Sequence, residues 1–364
     1  AGVNILISRL DGLGRSKEQH QVIKSGLLLT LFHFLIFAVA GTMLAEFYFQ
    51  ISTDNLAVAK DGIIYTKIIF IGSLGLFVES ICTKILQARG NMVIPMIAQI
   101  TGSLLNIILD LFLIFGLTGF PELGIAGAAI ATVIGQWAAM FITLIAVIRK
   151  YSLRGRFQIS VCKQIYQNGI GSIVTQSLFT LYIVGLNMIL KGFTEDAVTV
   201  LGIYYKIQSF FFIPLLGFQQ VLLPLISYNY GAGKISRTKD ILKFASIVSC
   251  CIMTVATMIF FAFPHLLIAI FSTSPALLNI GSYALRVISI SFIFAGLTIV
   301  ITSYLQGIAR MQASIFIIVL RQVFLLVPLA WVLHFWGLNA VWWTFPLTEV
   351  IACVAGIICV KMFR

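Results

Sequence analysis

Asp110 is the only charged residue in the run SLLNIILDLFLIFG, residues 103–116. At the centre of a bilayer-spanning helix a carboxylate costs at least ~2.5 kcal/mol, so its presence asks for a reason. Gln99, Ser103, Asn106 and Asp110 recur at i, i+4, i+7 and i+11 and share one helical face. That polar stripe must face protein or water rather than lipid. Asn106 and Asp110 stand one turn apart. An amide oxygen and a carboxylate are hard donors suited to Na⁺; alternatively the carboxylate takes up and releases a proton. The structural reading is that the pair only joins helices by hydrogen bonds. An Asp within a span argues for more than that.

Other polar residues fall at depth. In GIAGAAIATVIGQ (124–136), Gly127, Ala131 and Gly135 recur every four residues and permit close helix approach. Thr132 and Gln136 lie one turn apart beside that small-residue face. Glu79 has Thr83 one turn on; it lines a cavity or pairs with Lys84 or another basic residue. Arg321 and Glu349 occupy the last two apolar runs and read as a structural pair. In the second half, Ser172, Gln176, Thr180 and Asn187 share a face, and Gln176 and Thr180 are candidate cavity lining. Tyr205, Gln208, Phe212 and Gln219 are further candidates, in a run where Pro214 and Pro224 can bend a helix.

These residues need helices to position them, and the composition says which kind. Hydrophobic residues make up 60% of the chain, charged ones 10%, and mean hydropathy is +1.05, where a soluble domain carries about 25% charged residues. Runs of about 20 apolar residues recur from end to end. They do not alternate as barrel strands would. The expected class is an all-α polytopic membrane protein. The six cysteines fall largely inside the runs, and neither they nor the four histidines have metal-ligand spacing. No cluster of His or carboxylates at one depth supports an enzyme, and no cofactor is expected beyond a coupling ion, Na⁺ or H⁺.

Residues 1–9 read as the tail of a helix, followed by ten spans at about 24–48, 63–87, 93–116, 123–148, 165–190, 198–228, 242–271, 280–306, 312–335 and 338–360. Sorted by the loops between these spans, eighteen of the 24 Lys and Arg fall on one side, Arg154 and Arg364 among them. Three fall on the other side, and Lys206, Arg286 and Arg321 stay inside spans. The net charge of +12 therefore reports orientation, with the C-terminus cytoplasmic, rather than a nucleic-acid partner. The longest loop, 149–164, reads as a linker between an N-terminal lobe, 1–150, and a C-terminal lobe, 151–364.

The two lobes repeat. ISRLDGLGRSK (7–17) aligns with ISYNYGAGKIS (226–236), and LQARGNM (86–92) with LQGIARM (305–311), both at an offset of 219 without a gap. This is a parallel duplication of the kind many transporters use. At that offset Asn106 meets Leu325 and Asp110 meets Leu329, which places the ion chemistry in the first lobe only. The duplication also expects one more span and most of another ahead of residue 1.

LQARGNMVIPMIAQITGSLLNIILDLFLIFG, GIAGAAIATVIGQ, PLLGFQQVLLPLISYNYGAGK, RQVFLLVP and FPLTEV together resemble the multidrug and toxic compound extrusion (MATE) family, in particular its prokaryotic DinF-like and MepA-like members. The resemblance covers essentially the whole chain. It implies two pseudo-symmetric lobes in a twelve-helix plan, here without the first helix and most of the second. It implies export of amphiphilic, often cationic compounds in exchange for Na⁺ or H⁺, by a multi-pass monomer of the prokaryotic cytoplasmic (inner) membrane. It adds Thr132 to Asn106 and Asp110 as a candidate cation site; a further Asp of the family comes from the first helix. The alternatives are a flippase for lipid-linked oligosaccharide or peptidoglycan precursors, which would favour a basic cavity, and an inactive transporter fragment.

Overall fold

The computed structural model describes residues 1–119, 121–151 and 155–362; Arg154 and Arg364 lie outside the described residues. The described residues are mostly helical, with short connections, and contain no strand. Two compact units emerge, Ala1–Tyr166 and Gln167–Arg364.

The first unit holds α1 (Gly2–Gly12), α2 (Ser16–Ser52), α3 (Leu56–Gly72), α4 (Leu74–Ala88), α5 (Val93–Phe115), α6 (Gly124–Lys150) and the start of α7 (Ile159–Lys191). The second holds the rest of α7, then α8 (Glu195–Gly231), α9 (Ile235–Ala262), α10 (Pro264–Ala269), α11 (Pro275–Ser289), α12 (Phe292–Gly307), α13 (Met311–Val319), a π-helical turn at Leu320–Leu326, α14 (Val327–Leu333), α15 (Leu338–Val341) and α16 (Thr344–Met362). Among the described residues, eight helical stretches are long and apolar enough to cross a bilayer. Two bent pairs bring the total to ten.

The division falls within α7, past the expected linker, because its first turns belong to the first unit. Val161 and Ile165 pack in a core with Ile7, Ile85, Leu86 and Val147, and the Tyr166 hydroxyl meets His33 Nε2 at 2.6 Å. The linker is also shorter than 149–164. Arg149 and Lys150 complete the last turn of α6, where cations complement the helix dipole. The 242–271 span ends earlier than expected, at Ala262; Pro264 lacks an N–H to continue α9 and starts α10 instead.

The duplication is written in the backbone. Arg15 N–H donates to Leu10 O at 3.0 Å, and 219 residues on Lys234 N–H donates to Asn229 O at 2.9 Å; Gly14 (φ 70°) and Gly233 (φ 72°) make the two turns. Asn91 N–H donates to Leu86 O at 3.0 Å and Arg310 N–H to Leu305 O at 2.8 Å. The left-handed residues there are Gly90 (φ 76°) and Ala309 (φ 63°). These are helix C-caps of one kind, conserved in shape between the halves.

The two bent spans also match. The chain turns 45° between α3 and α4 and 46° between α11 and α12. Neither break contains proline. At each, a serine hydroxyl competes for a helical carbonyl: Ser73 Oγ donates to Phe70 O (2.8 Å) and Ser291 Oγ to Ile288 O (2.6 Å). Each break frees another carbonyl that lipid cannot satisfy, and a neighbouring helix supplies the donor. Trp137 Nε1 of α6 donates to Gly72 O at 2.9 Å. Thr257 Oγ1 of α9 donates to Ser289 O at 3.1 Å.

Candidate functional site

The Asp110 stripe lies on α5, and α6 is its most intimate neighbour. A Cβ on Gly102 would stand 2.7 Å from Gly135 O, one on Gly135 2.5 Å from Gly102 O, and one on Gly127 2.3 Å from Leu113 O. Nothing larger than hydrogen fits at these three crossings, so the backbones touch. That contact brings the two polar faces together. Asn106 Nδ2 donates to Thr132 Oγ1 at 3.4 Å, while the Thr132 hydroxyl donates to Ala128 O at 2.9 Å.

Beside this contact is a cavity of about 150 Å³. Glu79, Gln99, Ser103, Asn106, Thr132 and Gln136 all line it. Glu79 is buried, and its Oε1 accepts from Thr83 Oγ1 at 2.6 Å. Lys84 Nζ donates to Gln87 Oε1. Among the described residues the lining carries one carboxylate and no basic side chain.

Asp110 lies one turn beyond Asn106 and is not part of that lining. It is half-buried, and its buried Oδ1 has no hydrogen-bond partner among the described residues. Gln136 Oε1 is likewise buried without a partner. A buried carboxylate oxygen without a donor is expensive, and either a proton or a cation on it relieves the cost. Asn106 and Thr132, in contact, and Asp110, one turn from Asn106, carry amide, hydroxyl and carboxylate oxygens, donors of a kind that suits Na⁺.

In the second unit, Arg321 Nε lies 2.8 Å from Glu349 Oε1. Gln219 Nε2 donates to Ser303 Oγ at 3.0 Å. Tyr205 joins an aromatic cluster, its ring 5.0 Å from Tyr204, 6.1 Å from Phe179 and 6.4 Å from Tyr182. Gln208 is half-buried; Gln176 and Thr180 are exposed on α7. Phe212 is not cavity lining: it is buried in the core of this unit, its ring 5.2 Å from that of Phe292. With 30 Phe in the chain, core packing wins over cavity lining.

Three contributors are not evident from residue type. Gly102 completes the α5–α6 contact, and its signal is the spacing to Asn106 on the same stripe. Trp137 and Gly72 fix the bend from which α4 presents Glu79. The G-S-L-G run at 72–75 marks that bend: a Cβ on Gly75 would meet Trp137 at 2.6 Å.

Comparison with known proteins agrees with this architecture. Solved structures of a MATE-family multidrug resistance transporter in an outward-facing conformation and of a MOP-superfamily transporter from Pyrococcus furiosus match with TM-scores of 0.92 and 0.91. Each is 20% identical and covers 99% of this chain and 82% of the other. The multidrug export protein MepA of Staphylococcus saprophyticus is 27% identical over 309 residues, 82% of this chain and 67% of that protein. MepA of Staphylococcus aureus is 26% identical over 313 residues. The MatE family model matches residues 1–112 and 172–332, taking in Asn106, Asp110 and Arg321. With about three quarters of its length so matched and its helices built to span a bilayer, the chain belongs to the MatE family of membrane transporters.

Proposed function

We propose that this protein is a cation-coupled multidrug efflux antiporter of a prokaryotic cytoplasmic membrane, exporting amphiphilic, often cationic compounds. The observation that carries the reading is Asp110: a buried carboxylate oxygen without a hydrogen-bond partner among the described residues, one turn from the Asn106–Thr132 contact. A proton or Na⁺ bound there stabilises one conformation, and drug stabilises another. Exchange follows from the differential affinity of each ligand for the two states. The two MepA relatives, named as multidrug export proteins, support the substrate class. The acidic cavity beside the site favours this reading over a flippase, whose phosphate-bearing substrate would call for basic lining.

The test is ethidium efflux from cells that lack their own exporters and express the transporter with Asp110 or with Asp110→Asn. The substitution keeps the shape and removes the charge. Efflux driven by an imposed Na⁺ or proton gradient is expected to be lost, with surface expression unchanged. Coupled efflux at the original rate in Asp110→Asn would sink the proposal. The cation whose gradient drives efflux identifies the coupling ion.

A further inference from the structure

A groove of about 500 Å³ runs between α9, α12 and α16 of the second unit, well away in sequence from the Asp110 stripe. Its volume is within the range of about 300–1,000 Å³ typical of ligand sites. Its walls are apolar: Leu242 and Ile247 from α9, Leu297 and Ile301 from α12, Ile357 and Val360 from α16. Ile247 and Ile357 are exposed, as are their neighbours Phe244, Val354 and Ile358, so the groove opens on a surface suited to lipid chains. Its rim is charged. Lys239 and Lys243, one turn apart near the start of α9, and Lys361, near the end of α16, all line it and are exposed. Asp240 is the single acid of the lining. None of the three ammonium groups takes part in an ion pair among the described residues.

An apolar slot capped at one end by three cations and one anion is complementary to an amphiphile with an anionic head. It repels the cationic compounds assigned to the transport path. All three lysines belong to the side that the loop charges mark as cytoplasmic, where anionic lipid and basic rims meet. We infer that this groove is a binding site for an anionic phospholipid, its phosphodiester held by Lys239, Lys243 and Lys361 and an acyl chain laid along Leu297, Ile301 and Ile357. This assignment stands independently of the proposed antiport.

The experiment reconstitutes the chain in nanodiscs of mixed phosphatidylglycerol and phosphatidylcholine, then counts retained lipid by native mass spectrometry after mild detergent extraction. A lysine near a membrane surface is worth roughly fivefold in affinity for anionic lipid. The triple variant K239Q/K243Q/K361Q should therefore lose up to about a hundredfold in its preference for phosphatidylglycerol over phosphatidylcholine. Leu297→Trp, which fills the slot and keeps the charges, should lose retention of both lipids. Lys234→Gln with Arg237→Gln, basic positions of the same α9 start outside the lining, should change neither. The inference is overturned if the triple variant retains phosphatidylglycerol like the parent. It is equally overturned if the 234/237 pair lowers retention as much, which would mean surface attraction only, or if inorganic phosphate displaces the lipid, which would mean a headgroup site only. Should the triple variant melt early in detergent, Lys243→Gln alone carries the test with about a fivefold loss.

Discussion

Substituting Gly102 by Ala tests whether backbone contact between α5 and α6 positions the site. An ordinary Cβ contact begins at about 3.4 Å, and the new methyl would find Gly135 O at 2.7 Å. The helices must therefore part by about 0.7 Å, since a backbone carbonyl cannot rotate aside as a side chain can. Overpacking of this kind costs about 1–3 kcal/mol. Against that, Ala gains about 1 kcal/mol of helix propensity over Gly. Gly217, mid-helix in α8, supplies the control: a Cβ there meets nothing within 4 Å, so Gly217→Ala keeps the propensity gain without the clash. The two variants should differ by the overpacking term alone. At roughly 2–4 °C per kcal/mol for a unit of this size, Gly102→Ala should melt several degrees below Gly217→Ala in detergent. Separation of the helices also stretches the 3.4 Å Asn106–Thr132 contact beyond hydrogen-bonding range, so gradient-driven efflux should fall in Gly102→Ala even where the protein remains folded. Equal melting temperatures for the two Ala variants would refute the claim that the backbones touch there. Unequal melting with unchanged coupled efflux would refute the claim that the contact positions the site.

Trp137→Phe keeps most of the ring but strips Gly72 O of its donor at the α3–α4 bend. Hydrogen bonds inside membrane proteins average about 0.6 kcal/mol and reach about 1.7, so a loss near the upper value is expected in thermal melting, because no other donor among the described residues is in place. Glu349→Gln leaves the Arg321 guanidinium without its carboxylate, and Arg321→Met leaves Glu349 buried alone. Each should cost about 3 kcal/mol, and the double variant should recover much of it; a double-mutant cycle showing simple additivity would dismiss the pair as a stabilising contact. Ala309 holds a left-handed backbone at φ 63°, which is strained for a residue with a Cβ by about 1–2 kcal/mol. Ala309→Gly should stabilise the protein by up to about 1 kcal/mol after the unfolded-chain entropy of Gly is subtracted, and Gly90→Ala should do the reverse. Chemical denaturation midpoints that do not move in opposite directions would contradict this.

The spans were legible because hydropathy in a bilayer protein reports helix existence directly, and the duplication because two loops kept a gapless offset. The bends were not. The runs across Ser73 and Ser291 are as apolar as unbroken helices, and the carbonyls they free are caught by Trp137 and Thr257, which come from elsewhere in the chain. The α5 stripe and the Thr132–Gln136 face could be read from periodicity, and the fold brings them to one cavity with Glu79. What periodicity could not supply is that Asp110 stands outside that cavity, since a shared face sets direction and not depth. Phe212 is a related case: aromatic content says a ring is buried somewhere, and only packing says against what.

The π-helical turn at Leu320–Leu326 has a consequence for the symmetry of the two halves. Leu325, the counterpart of Asn106, lies inside that turn, and Leu329, the counterpart of Asp110, lies beyond it. A π turn accommodates an extra residue, and one residue of an α-helix is about 100° of rotation. Past this turn the halves therefore fall out of rotational phase around this helix. Writing Asn and Asp at 325 and 329 would restore the letters of the first half, yet aim them at a different neighbour. If the proposed ion chemistry resides in the first half alone, that restriction is written in the winding of the backbone as well as in two leucines.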